Sequence, residues 1–88
     1  LQKQGRTYGQ AWILLGDIAM AQKDFEKASN YYVIPSKLFK DPLVTPIAME
    51  KAAIASEKMD KKQRAADLRR QLREEWPNYK LSETDSNA

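Results

Sequence analysis

The sequence predicts an all-α fold of four helices. Apolar residues recur at spacings of three and four along most of the chain, which is the period of an amphipathic helix. Prolines and short polar stretches interrupt this pattern at three points. No segment alternates between apolar and polar residues as a strand would, and the Asn-Gly and Asp-Gly pairs that signal β-hairpins are absent from the sequence.

The first helix is predicted over about residues 7–22, with Thr7 as its N-cap. Trp12, Leu15 and Ala19 follow the i, i+3, i+7 spacing of one helix face. Residues 1–6 are predicted to be the end of a preceding helix or a linker, because Gly5 resembles a C-terminal glycine.

The second helix is predicted from Asp24, as its N-cap, to Phe39. Pro35 falls inside it, so we expect either a kink or a helix that ends and restarts. Residues 41–45 then form a loop.

The third helix is predicted to begin at Thr45, whose hydroxyl caps it, with Pro46 at the first helical position, and to run to about Met59. The fourth is predicted over about residues 61–76 and stops before Pro77. The polar residues 80–88 are predicted to be a disordered tail.

Gly16 lies inside the first helix, where glycine costs about 1 kcal/mol relative to alanine. Thirty-seven residues later Ala53 holds the corresponding place in the third helix, and Ala28 and Ala65 correspond in the second and fourth. Small residues at these places allow two antiparallel helices to approach closely. A helical pair repeated at such a period indicates an α-solenoid.

The first copy resembles the tetratricopeptide repeat (TPR), a helical hairpin of 34 residues. Five of its residues match the family pattern, namely Trp12, Leu15, Gly16, Ala28 and Tyr32, and its "KDFEKA", which ends at Ala28, is similar to the family's "GDYEKA" corner. The second copy is weaker, with Ala53, Ala65, Leu72 and a "WPN" ending similar to the family's "YPN".

The resemblance covers about residues 8–79 and implies two TPR-like repeats, 7–40 and 46–79, within a longer array. The "LFKDP" run and the "WPN" ending are most similar to TPR segments of bacterial cell-envelope proteins, which suggests the periplasm or cell envelope. Two features depart from the family. The period is three residues too long, and Pro35 stands where alanine is usual.

The composition argues against an enzyme or a metalloprotein. Cysteine and histidine are both absent, which removes thiolate metal sites, the commonest general base and the usual nucleophile pairs. Glu50 and Glu57 share a helix face and remain an acid–base alternative without other catalytic residues. We therefore predict no catalytic, cofactor or metal residue. No apolar run reaches the roughly 18 residues of a membrane span.

The resemblance implies a non-enzymatic protein-interaction module that binds a protein or peptide on the concave face of the solenoid. The first helix of each pair lines that face. Since Trp12, Leu15, Gly16 and Ala19 are expected to face the partner helix, the remaining stripe and its counterpart in the second copy form the predicted binding surface: Gln10, Ile13, Asp17, Met20, Ala21, Ile47, Glu50, Ile54, Glu57 and Lys58. Ile13 and Ile54 alternatively pack against a neighbouring repeat.

Other functions stay open. The chain is alternatively a structural spacer or a self-associating segment, since two repeats leave apolar end faces uncovered. Nucleic-acid binding is disfavoured because 15 basic residues nearly balance 12 acidic ones, including within the basic segment 61–75.

The aromatic residues Trp12, Tyr31, Tyr32 and Trp76 are predicted to pack in the core, with a ligand-binding box as the alternative. A carboxylate-clamp site is disfavoured, because Ile13 and Asp17 stand where that TPR subclass has lysine and asparagine.

Overall fold

The computed structural model describes residues 2–38 and 40–79, with side chains from residue 5 onward. Four helices are present: α1 (Gln2–Ala21), α2 (Phe25–Leu38), α3 (Thr45–Lys58) and α4 (Lys62–Glu75). The described part of the chain contains no strand, which confirms the all-helical prediction. The predicted tail, residues 80–88, lies outside the described residues.

Each helix packs against the next one in the chain, and α1 also contacts α3. The core is built largely from alanines, which allow close helix packing, together with a few larger side chains. The buried hydrophobic residues include Ile13, Ala19, Ala28, Tyr32, Val44, Ala48, Ala52, Ala55 and Leu72.

The start of α1 differs from the prediction. The helix begins at Gln2, so the predicted N-cap at Thr7 and the break after Gly5 are both wrong. Tertiary contacts support this first part of the helix. Gly9 is buried, and the Arg6 guanidinium donates to the carboxylate of Asp41 in the α2–α3 loop at 3.0 Å. Such contacts offset the intrinsic cost of two glycines in a helix, about 1 kcal/mol each.

The start of α2 agrees with the prediction. Its N-cap is Asp24, whose carboxylate accepts the Lys27 backbone N–H at 3.2 Å. The helix continues through the buried Pro35 to Leu38, so the expectation that it ends and restarts there is wrong. The predicted last residue, Phe39, lies outside the described residues.

The start of α3 corrects one capping prediction. Thr45 is the first helical residue, and its hydroxyl accepts the Asp41 backbone N–H at 3.0 Å instead of capping the helix. Val44 occupies the N-cap position without a side-chain hydrogen bond, and Pro46 is the second helical residue. The Asp41 carboxylate also accepts the Leu43 backbone N–H at 2.8 Å. That bond and the Arg6 guanidinium lower the pKa of Asp41.

The close approach of α1 and α2 depends on Gly16. A Cβ atom at this position would lie 2.6 Å from Cδ1 and 2.8 Å from Cζ of Tyr32, and it would contact Cε1 as well. Ordinary carbon contacts are about 3.5–4.0 Å. The absent side chain of Gly16 is therefore what admits the Tyr32 ring, which confirms the predicted reason for this glycine.

The turns between α1 and α2 and between α3 and α4 have the same geometry, 37 residues apart. Lys23 has φ 62° and Asp60 has φ 60°, both in the left-handed region. In the first turn the Asp24 N–H donates to the Ala19 carbonyl and the Lys23 N–H to the Met20 carbonyl, each at 2.9 Å. The corresponding bonds in the second turn are also 2.9 Å, from Lys61 N–H to Ser56 and from Asp60 N–H to Glu57. Both turns are Schellman motifs, in which a left-handed residue ends the helix.

Candidate functional site

A small cavity of about 220 Å³ opens where α1, α2 and α3 meet. Met20 and Ile54 provide its aliphatic walls, and Asp17, Tyr32 and Lys51 provide polar groups. Three of the predicted binding residues, Asp17, Met20 and Ile54, are thus brought together. Lys51 is not among the predicted site residues, and the sequence offers Tyr32 only as a core residue or a member of an aromatic box.

The polar groups of this cavity form one cluster centred on the Asp17 carboxylate. The Tyr32 hydroxyl donates to Asp17 Oδ1 at 2.5 Å, and Lys51 Nζ lies 2.9 and 3.0 Å from the two carboxylate oxygens. Lys51 Nζ is also 6.0 Å from the centroid of the Tyr32 ring. Burial raises the pKa of Tyr32 far above its usual value, and the hydrogen bond to Asp17 and its charge raise it further. Tyr32 is therefore a hydrogen-bond donor throughout the neutral range.

Each member of the cluster comes from a different helix, with Asp17 on α1, Tyr32 on α2 and Lys51 on α3. The Lys51 ammonium has three donors, and two are directed at Asp17. Its third donor is available to a carbonyl or carboxylate of a bound molecule. The Asp17–Lys51 pair is about two-fifths exposed, so its own contribution to stability is small.

The remaining predicted residues differ in exposure and in their contacts. Ile13 is 9% exposed and packs in the core cluster, which favours the packing alternative for this residue over a place on the binding surface. Glu50 is 7% exposed and accepts the Tyr79 hydroxyl at 2.9 Å. Ile47 is half-buried and packs against the core, whereas Gln10, Ala21 and Lys58 are exposed.

The two carboxylates considered as an acid–base pair have separate partners. Arg69 binds Glu57 through both of its terminal nitrogens, at 2.6 and 3.0 Å, and this pairing lowers the pKa of Glu57. Glu50 instead contacts Tyr79, and burial followed by the Glu50 contact raises the pKa of that tyrosine to about 12. Within the described ranges, no group of three His, Cys, Asp or Glu residues is placed to hold a metal ion.

The aromatic residues do not assemble into one box. The rings of Trp12 and Tyr31 lie 5.9 Å apart at 36° between α1 and α2. Trp76 borders a separate cavity of about 470 Å³ near Pro46 and Tyr79. Leu15, expected to face the partner helix, is 41% exposed, so that expectation is wrong.

The basic segment on α4 is partly neutralised. Arg69 pairs with Glu57, and Arg70 lies 3.2 Å from Asp67. A further open cavity of about 470 Å³ lies along α4, where it is bordered by Val33, Met49, Arg64 and Leu68. This mixture of charges is typical of a solvated helix face.

None of the helices described is both long and apolar enough to cross a membrane. Comparison of the chain with protein-family models, curated proteins and solved structures finds no match.

Proposed function

We propose that this chain is a non-enzymatic protein-interaction module built from two TPR-like hairpins, and that it binds an extended protein segment beside α1 and α3. The observation that carries the proposal is the repeated Schellman turn at Lys23 and Asp60. Equivalent turns 37 residues apart support a fold made of two copies of one hairpin.

The conformation of Lys23 supports the resemblance to the TPR in particular. Lys23 is the first residue of "KDFEKA" and stands where the family's corner sequence has glycine. Its φ of 62° is the conformation for which glycine is the favoured residue. Pairs at the same offset are also buried alike, such as Gly16 with Ala53 and Ala28 with Ala65.

The cavity beside Asp17 fits a side chain better than a whole ligand. Its volume of about 220 Å³ is below the roughly 300–1,000 Å³ typical of small-molecule pockets. Met20 and Ile54 would contact an aliphatic side chain, and Lys51 would donate to a main-chain carbonyl of the same segment. Hydrogen bonds to the main chain combined with a pocket for a side chain are a common mode of peptide recognition.

The test is selection of binding peptides from a random library displayed on phage, followed by affinity measurement with variants. We expect enrichment of sequences with an aliphatic anchor, and a loss of affinity of about 10-fold for Ile54→Gln. The matched control is Leu38→Gln, which changes an exposed aliphatic residue on α2 and should leave affinity unchanged. Helix content measured by circular dichroism must stay the same in both variants. Enrichment of no sequence, or equal binding by both variants, would argue against the site.

A second candidate function is a structural or self-associating segment, and the exposed apolar face of α1 favours it. Leu14, Leu15 and Ile18 are 59%, 41% and 47% exposed on this one helix. An exposed apolar face of this kind is a candidate contact surface for another protein segment. Membership of a longer repeat array and a place in the bacterial cell envelope are proposals that rest on the resemblance alone.

A further inference from the structure

One face of α1 carries a line of apolar residues that nothing in the described part of the chain covers. We call this line the α1 seam and define it by Tyr8, Ala11, Leu15 and Ile18. All four are exposed, Tyr8 by 62%. Leu14 flanks the seam and is 59% exposed. The α1 seam is separate from the cavity beside Asp17.

The seam has the spacing of a helix–helix contact. Its residues follow one another at intervals of three, four and three, which is the a/d pattern of helices that pack along their length. Residues 7–16 contain no charged side chain. The next charged residue, Asp17, is directed toward Tyr32 and Lys51 and away from the seam. Another helix can therefore cover the seam without burying a charge.

We propose that a second copy of this chain covers the α1 seam, with the two α1 helices antiparallel. A two-fold axis near residue 13 places Ala11 of one copy opposite Leu15 of the other, and Tyr8 opposite Ile18. Each large side chain at the centre of the seam then meets a small one, so the seam is complementary to itself, as an isologous interface requires. The antiparallel arrangement also aligns the two helix macrodipoles favourably.

The area of the α1 seam indicates how strongly two copies should associate. The exposed parts of its side chains amount to roughly 300 Å² per copy, against about 800 Å² per partner in a standard interface. The interface therefore belongs to the weak, transient class, and the dimer forms only at high protein concentration. This interface shares no residue with the cavity beside Asp17.

Sedimentation equilibrium between about 10 μM and 1 mM tests the association. The unmodified chain should shift from monomer to dimer over this range, and Ile18→Glu should weaken the dimer at least 10-fold. The matched control is Leu38→Glu, since Leu38 is also exposed, by 68%, but lies on α2. Circular dichroism should show unchanged helix content in both variants. A monomer at every concentration, or equal weakening by the control, would overturn the proposal.

Disulfide trapping tests the antiparallel register, and the natural chain has no cysteine to interfere. A mixture of the Ala11→Cys and Leu15→Cys variants should oxidise mainly to the mixed dimer, because these positions face each other across the axis. Preferential formation of Ala11→Cys homodimers would overturn the antiparallel arrangement. In addition, peptide affinity should be the same for Ile18→Glu as for the unmodified chain, so failure of the groove and failure of the seam are distinguishable.

Discussion

Replacement of Gly16 by alanine tests whether this residue is small in order to admit Tyr32. The new methyl group would lie 2.6–2.8 Å from two ring atoms, about 1 Å closer than carbon atoms pack. Tyr32 is 2% exposed and its hydroxyl is bonded to Asp17, so the ring cannot move aside freely. The helices must separate or the ring must leave its site.

Two opposing free-energy terms decide how much Gly16→Ala changes the stability of the fold. Alanine has about 1 kcal/mol more helix propensity than glycine, which favours the variant. Overpacking a close contact costs about 1–3 kcal/mol. The clash is with carbon atoms of a ring that packing and a hydrogen bond keep in place. We therefore expect the overpacking term to dominate and the free energy of unfolding to fall by about 1 kcal/mol. In a domain of this size that lowers Tm by about 4–8 °C.

The assay is thermal unfolding monitored by circular dichroism. The substitution is made both in the natural chain and in a Tyr32→Leu chain, where its effect on stability should have the opposite sign. In a Tyr32→Leu chain the ring is absent, so Gly16→Ala should stabilise by up to about 1 kcal/mol. Ala66→Gly, at an exposed position inside α4 and away from the α1 seam, gives the propensity term by itself. An unchanged or raised Tm for Gly16→Ala in the natural background would refute the packing explanation.

Two further predictions concern the turns and the tyrosines. Lys23→Gly and Asp60→Gly should each raise the free energy of unfolding, measured by urea titration, by about 0.5–1 kcal/mol, since glycine adopts positive φ without strain. The control is Gln22→Gly, at a neighbouring position without positive φ, which should lower the free energy of unfolding. The pKa of Tyr79 is about 12 in the fold against 10.0 for the free side chain. The stability that the fold gains from keeping Tyr79 protonated is therefore complete below pH 10 and is lost as pH rises toward 12. The decrease in Tm between pH 8 and pH 11 should therefore be smaller in Tyr79→Phe, and an equal decrease in both chains would contradict the assignment.

Local signals in the sequence predicted the helices and several of their ends. Asp24 caps α2 because its carboxylate needs only a backbone N–H three residues away. Pro77 follows the end of α4, since proline cannot continue a helix. Gly16 was recognisable because its cost in a helix requires a compensating gain, and the structure supplies one at Tyr32. Each of these signals acts over a few residues or through one known packing rule.

Contacts between distant residues decided the rest. Arg6 and Asp41, 35 residues apart, join the first part of α1 to the α2–α3 loop, and no local sequence pattern predicts that ion pair. The same is true of Lys51, which completes the cluster with Asp17 across 34 residues.

The orientation of α1 shows most clearly where the sequence is insufficient. Residues 12–15 are four consecutive apolar residues, "WILL", and at about 100° per residue they occupy nearly every side of the helix. Such a run predicts a helix but does not select the face that it buries. Packing against α2 and α3 makes that choice: it buries Ile13 and leaves Leu14 and Leu15 exposed, because only one side of the helix has neighbours.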